Sequence, residues 1–175
     1  MSGEGCSHSG RNYASLIGSV RSGPQVISPS MREQRMREVA DALWDHLGSR
    51  GVSWLGFYLK VAGKDEMILG PRRDKPACSP IGMHGMCGRG WIERQPIVIR
   101  DVRTLGGNYI ACDPRDLSEL VIPLFESDGS CWGVFDADSY ETGSFDSADV
   151  EGITNVLTHA GLSAPQQRHA SILFL

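Results

Sequence analysis

Two apolar runs, residues 119–125 and 131–138, flank the turn Ser127-Asp128-Gly129-Ser130, and this pairing constrains the fold more than any other stretch of the chain. A Gly-containing turn between two runs rich in branched and aromatic residues folds back as an antiparallel hairpin. Residues 52–61 form a third such run, and residues 65–69 follow it after a short Gly-containing turn, which predicts a second hairpin. Side chains alternate across a strand, so Trp54, Gly56 and Tyr58 share one face while Leu55, Phe57, Leu59 and Val61 share the other. The second face is expected to lie against helices. The first is free to line a cavity.

Two helical patterns supply the packing partners. Ser30 followed by Glu33 reads as a capping box, after which Met36, Val39, Ala40, Leu43 and Leu47 recur at helical spacing until Gly48. A last helix begins near Asp146 and buries Val150, Ile153 and Leu157 before Gly161. With a further strand at residues 97–101, the fold class is α+β: an antiparallel sheet with helices on one face. The 175 residues fit a single core. The expected organisation is a loosely ordered arm over residues 1–28, a folded domain over residues 29–161 and a short tail over residues 162–175. Within the arm, Tyr13, Leu16, Ile17 and Val20 could make a short docking helix. The apolar end of the tail, residues 172–175, could dock on the domain or on a partner chain.

Several function classes fall away on charge and hydropathy. The formal net charge is −4, with Lys and Arg scattered rather than striped, so there is no footprint for a phosphate backbone and no nucleic-acid partner is expected. No apolar run approaches the ~20 residues of a membrane helix. Residues 1–10 lack a hydrophobic signal core, and the cytoplasm is the expected compartment. Five cysteines, an odd number, argue against a disulfide framework and for thiols kept for reactivity, metal binding or packing.

Residues 70–90, rich in Gly and Pro, read as one long loop, and long ordered loops inside compact domains are usually functional. Cys78 and Cys87 fall in it, and Cys112 falls in a second loop, Ala-Cys-Asp-Pro. Thiols act as nucleophiles only as thiolates, which a polar, partly exposed setting favours. Cys131, beside Trp132 in a strand, reads as core, and Cys6 as incidental. Zinc is the rival use for three cysteines and nearby His84, but no close Cys-x-x-Cys pair is present. Neither a metal nor a cofactor is expected.

Asp136 and Asp138 emerge on one face of an apolar strand, where adjacent like charges are costly unless a cation neutralises them or one stays protonated. The alternative is a strand end reaching solvent before Ser139. Glu119 opens the neighbouring apolar strand, seven places after Cys112, so one loop could present both groups to a common pocket.

These residues resemble the free methionine-R-sulfoxide reductases built on a GAF domain. The matching pieces are Trp54-Leu-Gly-Phe-Tyr58, Leu69-Gly-Pro71, Lys75-Pro-Ala-Cys78, Met86-Cys-Gly88, Ile110-Ala-Cys-Asp113, Ser118-Glu-Leu-Val-Ile-Pro-Leu124, Gly133-Val-Phe-Asp-Ala-Asp-Ser139 and Phe145-Asp146. They run in the family's order from about Trp54 to Leu157. The chain departs from the family pattern in a shorter stretch between Cys78 and Cys87, in Gly88-Arg-Gly-Trp91, and in the position of Cys112, one residue farther on.

The resemblance implies a GAF-like antiparallel sheet with helices on one face and a ligand pocket on the other. It implies that Trp54 and Tyr58 wall the pocket around the sulfoxide methyl group, while Glu119, Asp136 and Asp138 hold the substrate's polar groups. The expected reaction converts free methionine-R-sulfoxide to methionine through a cysteine sulfenic acid and an intramolecular disulfide, with a thioredoxin-type reductant restoring the thiols. Cys112 is the expected nucleophile and Cys78 the resolving thiol, with Cys87 a competitor for the first role and Glu119 a proton donor. Pairing as a homodimer is common among GAF domains. The competing reading is a non-catalytic GAF module that binds or senses a small ligand.

Overall fold

A computed structural model describes residues 11–23, 27–109, 112–165 and 171–175. Cys6, and the part of the arm before Arg11, lie outside the described residues. The chain runs α1 (Tyr13–Ile17), α2 (Pro29–Leu47), β1 (Trp54–Lys60), β2 (Glu66–Arg73), β3 (Ile81–Gly82), α3 (Met86–Glu93), β4 (Ile97–Ile99), β5 (Ser118–Phe125), β6 (Cys131–Ser139), α4 (Ser147–His159) and β7 (Leu173–Phe174). These strands form a seven-stranded sheet in the order β3-β2-β1-β6-β5-β4-β7.

The β5–β6 hairpin that dominates the sequence is the centre of this sheet. Its turn is closed by Glu126 N–H donating to Ser130 O at 2.8 Å and Gly129 N–H to Glu126 O at 2.9 Å. Gly129 takes φ +84°, a left-handed conformation that glycine adopts at little cost. β1 pairs with β6 on one side and with β2 on the other, so both expected hairpins form and share the β1–β6 seam.

The alternation along β1 divides the molecule into two cores. Leu55 and Phe57 join Leu120, Ile122, Leu124, Phe135 and Ala137 beneath Met36, Val39 and Leu43 of α2 and Ile153, Val156 and Leu157 of α4. Phe57 and Phe135 meet edge to face at 5.4 Å. Trp54 and Tyr58 face the opposite side with Met67, Cys87, Ile97, Ile99, Val121 and Val134. Each fully buried Leu or Phe is worth about 1.5–3 kcal/mol, so the helical side carries most of the apolar stabilisation.

Several expectations need correction. The cap of α2 is Ser28, whose side chain accepts from Met31 N–H, with Pro29 at the first helical position. Ser30 and Glu33 therefore form no capping box, and Glu33 instead pairs with Arg37 one turn on, at 2.5 Å. Proline at the first turn fits because its missing N–H has no helical acceptor there. Helix α4 begins where expected, near Asp146, which proves to be its cap, and Asp149 completes a capping box.

Residues 11–23 are docked rather than loose. Tyr13 and Leu16 of α1 are buried, and the Tyr13 hydroxyl donates to Asp149 at 2.6 Å while Arg11 reaches the same carboxylate at 3.1 Å. The sheet is mixed rather than purely antiparallel, because β7 of the tail adds parallel to β4. Residues 70–90 are not one loop either: β2 runs on to Arg73, β3 pairs with Glu66 and Met67, and α3 begins at Met86. Consequently α3 sits on the cavity face, and only α1, α2 and α4 occupy the other. Among the described residues, no helix is long and apolar enough to cross a membrane.

Candidate active site

Strand register builds the site. Asp138 lies between Trp54 of β1 and Glu119 of β5, and Asp136 lies between Gly56 and Val121. Because 136 and 138 share a face with 54, 58 and 119, three carboxylates and two aromatic rings converge on one side of the sheet. They line a cavity of about 360 Å³, and its wall also includes Cys78, Cys87 and Cys112. All eight residues singled out from the sequence thus border one space, which is of the size that holds a small ligand.

The aromatic wall is held by the loop that follows β2. Trp54 Nε1 donates to Lys75 O at 3.0 Å and the Tyr58 hydroxyl donates to Cys78 O at 2.9 Å, with the two ring centroids 6.2 Å apart. Tyr58 also stands beside the Cys112 thiol, and Cys112 beside that of Cys78. Cys78, Cys112 and Tyr58 are therefore neighbours on the cavity wall.

Cys87 is placed differently from the sequence reading. It sits in the first turn of α3 rather than in a loop, is buried, and donates from Sγ to Asp136 Oδ2 at 3.3 Å. Burial, then the charges of Asp136 and Glu119, push its thiol well above the ordinary range, so it rests protonated. Cys112 is exposed as a residue, but partial desolvation of its sulfur, then Cys78, push its thiol up to about 12. Cys131 is half-buried on β6, with its thiol directed at Gly133 O at 3.4 Å and pushed up to about 11 by burial.

The carboxylates lie where charge is expensive. Asp136 is pushed up to about 7 by desolvation, and Glu119 and Asp138 are held well above the usual carboxylate range by desolvation and by repulsion from Asp136. Asp136 Oδ1 is buried with no hydrogen-bond partner. Buried polar atoms are seldom left unpaired, and one inside a cavity is suited to receive a donor from a ligand. Of the two ways to tolerate paired carboxylates, retention of a proton is the one that these raised values favour.

Three neighbours escaped the sequence reading. Tyr109 donates to Glu119 Oε2 at 2.8 Å, Asp116 is buried against Ser53 at 3.0 Å, and Lys75 reaches Asp113 at 2.8 Å. Tyr109 and Lys75 lie in stretches with no periodicity, so nothing in their spacing announced them. Asp116 could have been noticed as a second Asp following Cys-Asp-Pro-Arg. For a metal, the side chains brought together are Cys87, Glu119 and Asp136, whose ligand atoms all lie within 4.8 Å of one another. That set differs from the thiol and His84 combination weighed from the sequence.

Comparison with known proteins identifies the fold and family. The family model described as "GAF domain" matches residues 32–163. The chain is 37% identical over 105 residues to GAF domain-containing protein A of Dictyostelium discoideum, covering 59% of this chain and 65% of that protein. It is 36% identical over 102 residues to the free methionine-R-sulfoxide reductase of Saccharomyces cerevisiae, covering 57% of this chain and 56% of the yeast enzyme, little more than half its length. Among solved structures, fRMsr of Staphylococcus aureus in its reduced form superposes with a TM-score of 0.72 at 31% identity, covering 89% of this chain and 97% of that one. The free methionine-R-sulfoxide reductase of Neisseria meningitidis, in complex with its substrate, superposes with a TM-score of 0.69 at 30% identity, covering 85% and 81%. The chain belongs to the GAF-domain family and, within it, to the free methionine-R-sulfoxide reductases.

Proposed function

We propose that the chain reduces free methionine-R-sulfoxide to methionine, with Cys112 as nucleophile and Cys78 as resolving thiol. The observation that carries this reading is that one small cavity is bordered together by the three carboxylates, by the thiols of Cys78 and Cys112, and by the rings of Trp54 and Tyr58. An amino acid brings an ammonium group, an apolar thioether arm and a sulfoxide. The unpartnered Asp136 oxygen and its neighbour Asp138 suit the ammonium group, and the aromatic rings suit the methyl.

The chemistry follows from the protonation states. A sulfoxide becomes electrophilic at sulfur once its oxygen accepts a proton, and raised carboxyl pKa values keep a proton available near neutrality. Glu119, oriented by Tyr109, is the proposed donor. Cys112 sulfur attacks the substrate sulfur, which is reduced by two electrons to the thioether, and Cys112 is left as sulfenic acid. Cys78 then displaces water from that sulfur to form a disulfide, and a thioredoxin-type dithiol reduces it.

Cys87 is not favoured as nucleophile. Its thiol is buried and already committed to Asp136, so it acts instead by orienting that carboxylate. Cys78 and Cys112 are exposed, which suits exchange with an external dithiol. The test is NADPH consumption with thioredoxin, thioredoxin reductase and free methionine-R-sulfoxide. Oxidation in step with methionine formed is expected, and a rate no higher than without the sulfoxide would overturn the assignment.

A further inference from the structure

Asp113 and Lys75 have no place in the chemistry just described, yet they join the two segments that carry its thiols. Asp113 directly follows Cys112, and Lys75 precedes Cys78 by three residues. Lys75 Nζ donates to Asp113 Oδ2 at 2.8 Å, and the Tyr140 hydroxyl donates to the same oxygen at 3.1 Å. Arg115 closes a fork on Asp113, Nε to Oδ1 at 3.0 Å and Nη2 to Oδ2 at 2.8 Å. Lys75 also contacts the Tyr140 hydroxyl, and the Lys75 and Arg115 cations each lie 4.7 Å from the Tyr140 ring centroid. On the inner side, Lys75 O accepts from Trp54 Nε1 at 3.0 Å and Arg72 Nε at 3.1 Å.

An isolated surface ion pair is worth little, but this carboxylate takes three side-chain partners at once, in a bidentate and aromatic-stacked arrangement. The hydrogen bonds from Arg115 and Lys75 hold Asp113 well below the usual carboxylate range. The link spans the two loops that carry the thiols, one anchored through Lys75 to the pocket wall and the other ending at β5.

We infer that Lys75, Asp113 and Tyr140 form a latch that positions Cys78 against Cys112 for disulfide closure. They are positioning residues for the second half-reaction and not for the reduction of substrate. The inference rests on the Cys112–Cys78 pairing proposed above. In the step concerned, the Cys78 thiol attacks the sulfur of Cys112 sulfenic acid, an S–S bond forms, the S–O bond breaks, and hydroxide leaves with the thiol proton as water. Such closure depends on the effective concentration of one thiol at the other, and a displacement of about 1 Å can cost on the order of 10²-fold in rate.

The experiment follows one turnover without added reductant in the parent and in Lys75→Met, Asp113→Asn and Lys75→Arg. Methionine release reads the first step, dimedone capture reads Cys112 sulfenic acid, and peptide mapping of alkylated samples reads the disulfide. In Lys75→Met and Asp113→Asn, sulfenic acid should accumulate because disulfide closure slows by about tenfold or more, a larger factor than any slowing of methionine release. Lys75→Arg, which keeps the cation, should recover most of the closure rate. Closure at the parent rate in both disrupting variants would overturn the latch alone, as would equal slowing of both steps. A parent protein that makes methionine without joining Cys78 to Cys112 would overturn the pairing beneath it.

Discussion

Glu119, Asp136 and Asp138 sit where a carboxylate costs most, behind a cavity wall and within reach of one another. That cost is functional only if a proton or a cation uses it, and the two uses can be separated. Glu119→Gln keeps the acceptor for Tyr109 but deletes the acid, and general acid catalysis is worth about 10²- to 10⁴-fold. A fall of that order in kcat is expected, whereas Asp136→Asn should act mainly on KM; parent kinetics in both variants would return the carboxylates to a structural role. The pH dependence of stability provides a check without substrate. Asp136 titrates near 7 in the fold and about 3.9 in the unfolded chain, so between those values the fold binds the extra proton. Stability of the empty protein therefore falls as pH rises through that window. Asp136→Asn should make the decline in Tm visibly shallower, and an unchanged slope by calorimetry would count against the trio's raised pKa values. These groups were legible because a period of two puts 136 with 138 and 54 with 58 whatever the rest of the fold does. Tyr109 and Lys75 were not, since loop residues meet their partners through tertiary contacts that no local spacing records.

Helix α3 is the element that sequence reasoning missed, and its glycines explain both the omission and its use. Gly88 and Gly90 lower helix propensity by about 1 kcal/mol each relative to Ala, and with the Gly and Pro residues around them they read as loop. In the fold those positions meet neighbours closely: a Cβ on Gly88 would lie 2.1 Å from Met83 O, and one on Gly90 would lie 2.7 Å from Val121 Cγ1. Tertiary packing therefore overrides propensity, and the helix lies flat on the cavity face with Cys87 delivered to Asp136. Gly88→Ala meets backbone, which cannot yield as a side-chain tip can, so a loss of about 1–3 kcal/mol is expected by denaturant titration. Gly90→Ala meets one movable methyl and should cost less while shifting Cys87. Equal, negligible losses at both sites would show that α3 has slack against the sheet. The misread cap of α2 has a simpler cause: Ser28 and Ser30 both precede good helix formers, and Pro29 at the first helical position decides between them.

At the scale of the molecule, the sheet separates an apolar core that stabilises from a polar cavity that destabilises. The alternation in β1 revealed that division, and apolar residues in the arm and tail allowed for docking, but the strand order and the parallel pairing of β7 with β4 depend on long-range contacts that local spacing does not record. The division also predicts which sulfoxides the chain accepts. A free amino acid carries an ammonium group that can pair with Asp136, the least strongly raised of the three acids, and the 360 Å³ cavity bounds how much more can follow it in. Acetylating that nitrogen removes the charge, adds bulk and leaves Asp136 Oδ1 without a charged donor. Removing one partner from a buried ion pair costs about 3–5 kcal/mol, which in kcat/KM corresponds to about 10²- to 10³-fold or more. N-acetylmethionine-R-sulfoxide and a sulfoxide within a peptide should both fall by at least the lower figure relative to the free amino acid. In Asp136→Asn the penalty for acetylation should shrink, because part of the charge that the ammonium group answers is gone. Measured kcat/KM values for the three substrates on both proteins decide the matter: comparable turnover of free and acetylated sulfoxide by the parent would mean that the ammonium group binds elsewhere and that the carboxylates serve only the sulfoxide oxygen.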